Sequence, residues 1–220
     1  MTLSERHYVG GGIVLLTAVA SALAYPDLPA EMVTHWGTEG PNDTMDRAVA
    51  LTFLPALAAG IFLLFEVLPR LDPLGEHITD LGRYYDLLVV VVVGLLGYVH
   101  GLVILWNLGY DFAMVQAITP AVAVVYYVVG GVLERVEKNW FVGIRTPWTL
   151  SSDEVWEKTH ERGAPLFKLA ALVALAAVLV PEYAVYLLVV PVAMAALYLT
   201  VYSYVAYSRL ESGSEDRPSV

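Results

Sequence analysis

Glu157-Lys158-Thr159-His160 has the Glu-x-x-His spacing that sets a carboxylate and an imidazole on one helix side, with Asp153 one turn earlier. Di-metal helical bundles need two such motifs plus two further carboxylates. Only one occurs here, so a solvated helix face is the plainer reading and no metal is expected. His35, Glu39 and Asp43 form a second candidate set, beside Trp36. They could hold a divalent ion or a basic peptide. The stretch 26–47 carries Asp27, Glu31, Glu39, Asp43 and Asp46 against Arg47 alone, and such acidity draws cations. The plainer reading is an acidic surface with Trp36 resting at a membrane interface. Arg145 offers a planar fork that matches a carboxylate or phosphate. Its plainer role is to clamp helix-end carbonyls or an acid such as Glu134. Trp140, Trp148 and Trp156 form either a docking surface for a partner or an interfacial belt; the belt is expected.

No Ser-His-acid set or phosphate-binding loop can be assembled. The chain has no cysteine, which removes disulfides, thiol catalysis and thiolate metal sites. The sequence nominates no catalytic residue and no cofactor, and reads as a non-enzyme.

The elements that must position these residues are set by composition. Hydrophobic residues make up 58% of the 220, above the ~45–50% of soluble domains. They fall into long blocks of the length a helix needs to cross ~30 Å of hydrocarbon. The expected fold is an all-α polytopic bundle in the cell membrane. Its six spans run over 8–25, 48–68, 84–108, 112–133, 164–180 and 183–207. Residues 1–110 form a three-span region whose outer loop, 26–47, is irregular because of Pro26, Pro29 and Pro41. Asp72-Pro73 reads as an N-cap and first-turn proline opening a surface helix that carries Leu74, Ile78 and Leu81. Residues 111–207 form a second three-span region, and 208–220 a polar disordered tail.

Few polar groups lie inside the spans, where they are costly and often functional. Asp86 lies near the start of the third span, beside Arg83 as a candidate partner. His100 lies about 21 Å farther along on an ideal helix, too far for a two-residue relay. Gln116 and Thr119 fall at a depth similar to His100, which suggests a hydrogen bond among the three.

Orientation follows from the basic residues. Arg6, Arg70, Arg83, Arg135, Lys138, Arg145, Lys158, Arg162, Arg209 and Arg217 fall on one side of a six-span layout, and Arg47 alone on the other. Ten against one makes both termini and the 139–163 stretch cytoplasmic, with 26–47 outside. The net charge of −10 and the scarcity of lysine suit a high-salt cytoplasm, where repulsion is screened.

The 139–163 stretch is polar between apolar neighbours and holds three of the five tryptophans. Gly143 frees the backbone and Pro147 opposes helix, so the first half reads as an ordered loop. Ser151 and Glu154 fit a capping box that opens a short helix, and Gly163 would end it.

Asn139, Trp140, Gly143, Ile144, Arg145, Thr146, Pro147, Trp148, Thr149, Leu150, Ser151, Trp156 and His160 together resemble the signature of the SdpI family. Thr34-His35-Trp36-Gly37 followed by Gly40-Pro41-Asn42-Asp43 resembles the domain of unknown function often joined to it. The resemblance implies an immunity or signalling membrane protein. The named member of the family protects a bacterium from its own secreted killing peptide and is thought to hold a repressor at the membrane. The implied partners are the lipid bilayer, an extracellular peptide and a cytoplasmic regulator, with no direct nucleic acid. The alternatives are a small transporter or channel using polar residues of spans three and four, and a membrane-embedded enzyme.

Overall fold

The computed structural model describes residues 3–37, 40–73, 78 and 80–215. Helix α1 (Leu3–Ala24) is followed by the antiparallel strands β1 (Glu31–Gly37) and β2 (Gly40–Asp46). Next come α2 (Arg47–Leu71), α3 (Arg83–Asn107), α4 (Met114–Leu133), the short α5 (Pro147–Ser151), α6 (Asp153–Ala176) and α7 (Ala184–Glu215). Among the described residues, five helices are long and apolar enough to cross a membrane: α1, α2, α3, α4 and α7. The chain is a polytopic helical membrane protein. Many large apolar side chains point outward, among them Leu16, Leu23, Leu63, Leu172 and Leu197. That suits a bundle whose solvent is hydrocarbon.

The expected fifth span is part of a longer element. Helix α6 begins at Asp153, runs through Gly163 and Pro165 and ends at Ala176. Its first three turns are polar, so its apolar part is shorter than the other spans. Gly163 does not end a helix. It is small because a Cβ there would stand 2.7 Å from Ile144 Cδ1 and 3.3 Å from Leu133 Cδ1. Packing, not termination, fixes the glycine. Gly130 plays a similar part on α4, where a Cβ would meet the Ala164 carbonyl oxygen at 2.9 Å. Such small residues let helix backbones approach closely in membranes.

The fold is not purely helical. The loop expected to be irregular is a β-hairpin with His35 opposite Asp43 and an irregularity between Val33 and Trp36. Both strands are edges, so Pro41 removes no ladder bond the ribbon cannot spare. Asp46 closes β2 and caps α2, accepting from Ala48 N–H at 2.8 Å. Asn107, at the end of α3, holds the hairpin down: its amide donates to the Val33 carbonyl and its oxygen accepts from Val33 N–H. Met32 is fully buried, in a cluster with Leu28, Ala50, Leu51, Val103 and Ile104. The larger core, around Val89, Val93, Val128, Val132, Trp156 and Ala164, joins α3, α4 and α6.

Asp72 closes α2, and its carboxylate accepts from Trp140 N–H at 3.3 Å; most of the surface helix expected after it lies outside the described residues, with Ile78 helical. Leu74 of the expected surface helix lies outside the described residues; Ile78 and Leu81 are buried. At the other terminus α7 continues through Glu215, well into the stretch expected to be disordered. Residues 216–220 lie outside the described residues.

At the same end of the bundle as α5, Arg6 joins three helices. Its Nε and Nη2 form a fork on Glu66 of α2 at 2.9 and 3.1 Å, and Nη1 donates to Asp86 of α3 at 2.9 Å. Asp86 therefore pairs with Arg6, not with neighbouring Arg83, whose guanidinium donates to Tyr84. The ring of Tyr85 lies under Arg6, 5.4 Å from its guanidinium carbon. His7 adds a contact to Glu66 at 2.5 Å. Removing one partner of a buried ion pair leaves an uncompensated charge, at about 3–5 kcal/mol. Arg6→Leu should lose stability on that order in detergent thermal denaturation. Adding Asp86→Asn should recover part of the loss. An unchanged melting temperature in the single variant would show that the cluster is solvated.

Candidate functional site

The residues from Val136 to His160 fold into one hydrogen-bonded unit at the end of the bundle opposite the hairpin. Asn139 starts it. Fully buried, it donates to the carbonyls of Glu137 and Val142, both at 2.9 Å. Its oxygen accepts from Phe141 N–H at 2.8 Å and Val142 N–H at 2.6 Å. All four bonds an amide can make are used, which pins a tight turn. Gly143 follows at φ +118°, a conformation that L side chains rarely adopt. It lets the chain press against α6: a Cβ there would stand 2.5 Å from His160 Nε2 and 3.1 Å from the Trp156 ring.

Ile144 N–H donates to His160 Nε2 at 2.8 Å. The acceptor must be an unprotonated nitrogen, so the ring proton sits on Nδ1, which donates to the Trp156 carbonyl at 2.8 Å. The imidazole stacks on Trp156, with centroids 4.1 Å apart. Trp156 is buried, and its Nε1 donates to the Val136 carbonyl at 2.9 Å. His160 is thus neither a solvated surface residue nor a metal ligand. Among the described residues no group of three His, Asp or Glu could hold a metal. Burial pushes the His160 pKa down to about 4.

The loop then becomes α5, because Pro147 takes the first helical position, where its missing N–H costs nothing. The residue expected to forbid helix begins one. Thr146 caps it: its hydroxyl accepts from Thr149 N–H, and the Thr149 hydroxyl accepts from Thr146 N–H. The Thr149 hydroxyl also lies 2.8 Å from the Ile144 carbonyl, and Thr146 meets Ser203 of α7 at 3.1 Å. The cap of α6 is Ser152, accepting from Val155 N–H; the Ser151 hydroxyl instead donates to the Trp148 carbonyl. The capping box expected at Ser151 lies one helix earlier, at Thr146.

The three tryptophans divide. Trp156 is core, Trp148 packs edge-on to Tyr204 at 5.1 Å, and Trp140 is half exposed. Only Trp140 stands free enough for the belt expected of all three. Arg145 is exposed and donates to the Trp140 carbonyl at 2.6 Å; it is a loop clamp and does not reach Glu134. Glu134 pairs with Arg135 at 2.8 Å and with Lys168. Beside the unit lies a cleft of about 780 Å³. Leu133, Val136 and Trp156 floor it, and Glu137, Glu157 and Glu161 are among its acids. Lys138 pairs with Asp153 across it.

The remaining candidates do not join this unit. His35 is exposed and Glu39 lies outside the described residues; Asp43 accepts from its neighbour Thr44 N–H at 2.8 Å. Trp36 packs against Trp106, with ring centroids 5.6 Å apart. His100 is buried and meets Ser21 of α1 at 2.8 Å. It does not meet Gln116 or Thr119, which bond to the carbonyls of Val178 and Val115. The sequence reading missed Ser203, Val136 and Asp72 as supports of the loop, and Ser21 as the partner of His100. Each contact joins residues far apart in the chain, and no local spacing announces it.

Two predictions follow from this geometry. The unfolded His160 titrates near 6.5 and the folded one near 4. Between these values the unfolded chain binds the extra proton, so this stability is full above about pH 6.5 and falls as pH drops to about 4. The loss is on the order of 3 kcal/mol. Denaturant titrations over this range should show the slope, and His160→Gln should flatten it; an equal slope in both chains would assign the titration elsewhere. Gly143→Ala should cost about 1–3 kcal/mol from backbone strain alone. It should also speed hydrogen exchange at Ile144, whose acceptor the new methyl displaces.

Residues 135–203 match the SdpI/YfhL protein family, and residues 12–59 match the domain of unknown function DUF1648. The chain is also similar to the Immunity protein SdpI of Bacillus subtilis (strain 168), 23% identical over 200 residues. That similarity covers 90% of this chain and 94% of the relative. No solved structure matches. The Asn139–His160 unit falls within the first of these regions and the hairpin within the second, so the chain carries an SdpI/YfhL-type domain at residues 135–203 and a DUF1648 domain at residues 12–59.

Proposed function

We propose that this chain is an immunity-type protein of the cell membrane that meets a membrane-active peptide at its outer face. The observation that carries this is the similarity along 90% of the chain to a protein named for immunity. In this reading the hairpin end faces outward and the Asn139–His160 unit faces the cytoplasm. The ten-to-one distribution of Lys and Arg supports that orientation. The unit is a brace: its polar groups bond to one another, to α6 and to α7. Trp140, Arg145 and the rim of the cleft remain for a cytoplasmic regulator.

Two experiments test this. Single cysteines replacing Asp43 and Glu157 in this cysteine-free chain should label from outside and from inside respectively. The reverse pattern overturns the orientation. Expression in a sensitive bacterial host should raise survival under challenge with membrane-active peptides, and Gly143→Ala should remove the gain. Equal survival with and without the chain, at matched expression, overturns the immunity reading.

A further inference from the structure

Beneath the hairpin lies a cavity of about 410 Å³ bounded by β1, α2, α3 and α4. Buried Val103 and Met114 form its floor and exposed His35 and Phe53 its mouth, with Trp36 and Ile118 on the walls. An apolar lining of this size with a few polar groups is the usual form of a ligand pocket.

The charge around the mouth is one-sided. His35 stands opposite Asp43 on the hairpin, and Asp27, Glu31, Asp46, Asp111 and Glu182 occupy neighbouring turns and strand ends of the same face. Among the described residues of that face the basic side chain is Arg47. Its Nη1 lies 3.0 Å from the Tyr25 carbonyl and 2.7 Å from the Leu28 carbonyl, and its guanidinium covers the Tyr25 ring at 4.1 Å. Its single positive charge offsets one of these six acids and leaves the face negative. A cationic ligand is drawn to such a rim and an anionic one repelled.

We infer that this cavity seats an apolar side chain of a cationic, amphipathic extracellular peptide. The basic groups of that segment meet Asp43, which stands opposite His35 of the mouth. The inference rests on the outward orientation proposed above. It names where the peptide is held and what chemistry selects it.

The probe is a short synthetic Lys–Leu amphipathic peptide with one diazirine-bearing leucine, added to the full chain in phosphatidylcholine vesicles. Crosslinks should fall on the segments that carry Val103, Met114 and Ile118. Unlabelled peptide should compete, and a Glu–Leu peptide should not. Ile118→Trp, which fills the cavity, should cut labelling by roughly tenfold with melting unchanged. Asp43→Asn, on the exposed rim, should cut it as well and carries no folding risk in the bundle. Crosslinks confined to lipid-facing helices, or labelling indifferent to both variants, overturn the inference. So does a diazirine-acyl phosphatidylcholine that labels the same segments while the peptide does not, since the occupant is then a lipid chain. Protection in cells without labelling at the cavity overturns this inference alone. Labelling at the cavity without protection overturns the immunity reading alone.

Discussion

The neutral imidazole of His160 is the tie on which the polar end of the molecule depends. It accepts from one loop amide and donates to one helix carbonyl, and so fixes the loop against α6 in a single register. A charged ring could not accept from Ile144, so the fold requires the neutral form that burial already favours. Gly143 makes the approach sterically open, and Trp156 provides the face on which the ring lies. Asn139, Thr146 and Thr149 then satisfy the remaining backbone groups. A loop at the end of a membrane bundle has little apolar area to bury, so its order comes from this closed set of hydrogen bonds.

Much of the architecture is legible in the sequence because lipid is a severe solvent. Spanning helices must be long and apolar, and five of the expected spans are seen as such. The remaining one was harder to read. A polar start followed by Gly163 and Pro165 looks like a helix end, yet the chain continues as α6. Glycine is chosen there for contact with Ile144 and Leu133, which no local pattern encodes. The hairpin was hidden for a related reason. Three prolines and many acids argue for irregular chain, but a two-stranded ribbon tolerates both when Asn107 and buried Met32 anchor it.

The site was legible as a list of residues and not as a set of roles. Asn139, Gly143, Thr146, Trp156 and His160 stood out by type and spacing. Their arrangement depends on partners distant in sequence: Val136 for Trp156, Ser203 for Thr146, Asp72 for Trp140. Residues that look reactive, such as His160 and Asp86, prove to be internal fasteners. Exposed chemistry is left to a smaller set, Trp140 and Arg145 at one end and the hairpin rim at the other.

The continuity of α6 has a mechanical meaning. Its 24 residues form a rod of about 36 Å. One end carries Trp156 and His160 inside the hydrogen-bonded unit. Just beyond the other end, the Val178 carbonyl is met by Gln116. A helix of this length resists bending more than loops do, so its two ends share one lever. The rod thereby ties the imidazole that receives the Ile144 N–H to the helix end beside Gln116, with Pro165 interrupting its ladder between them.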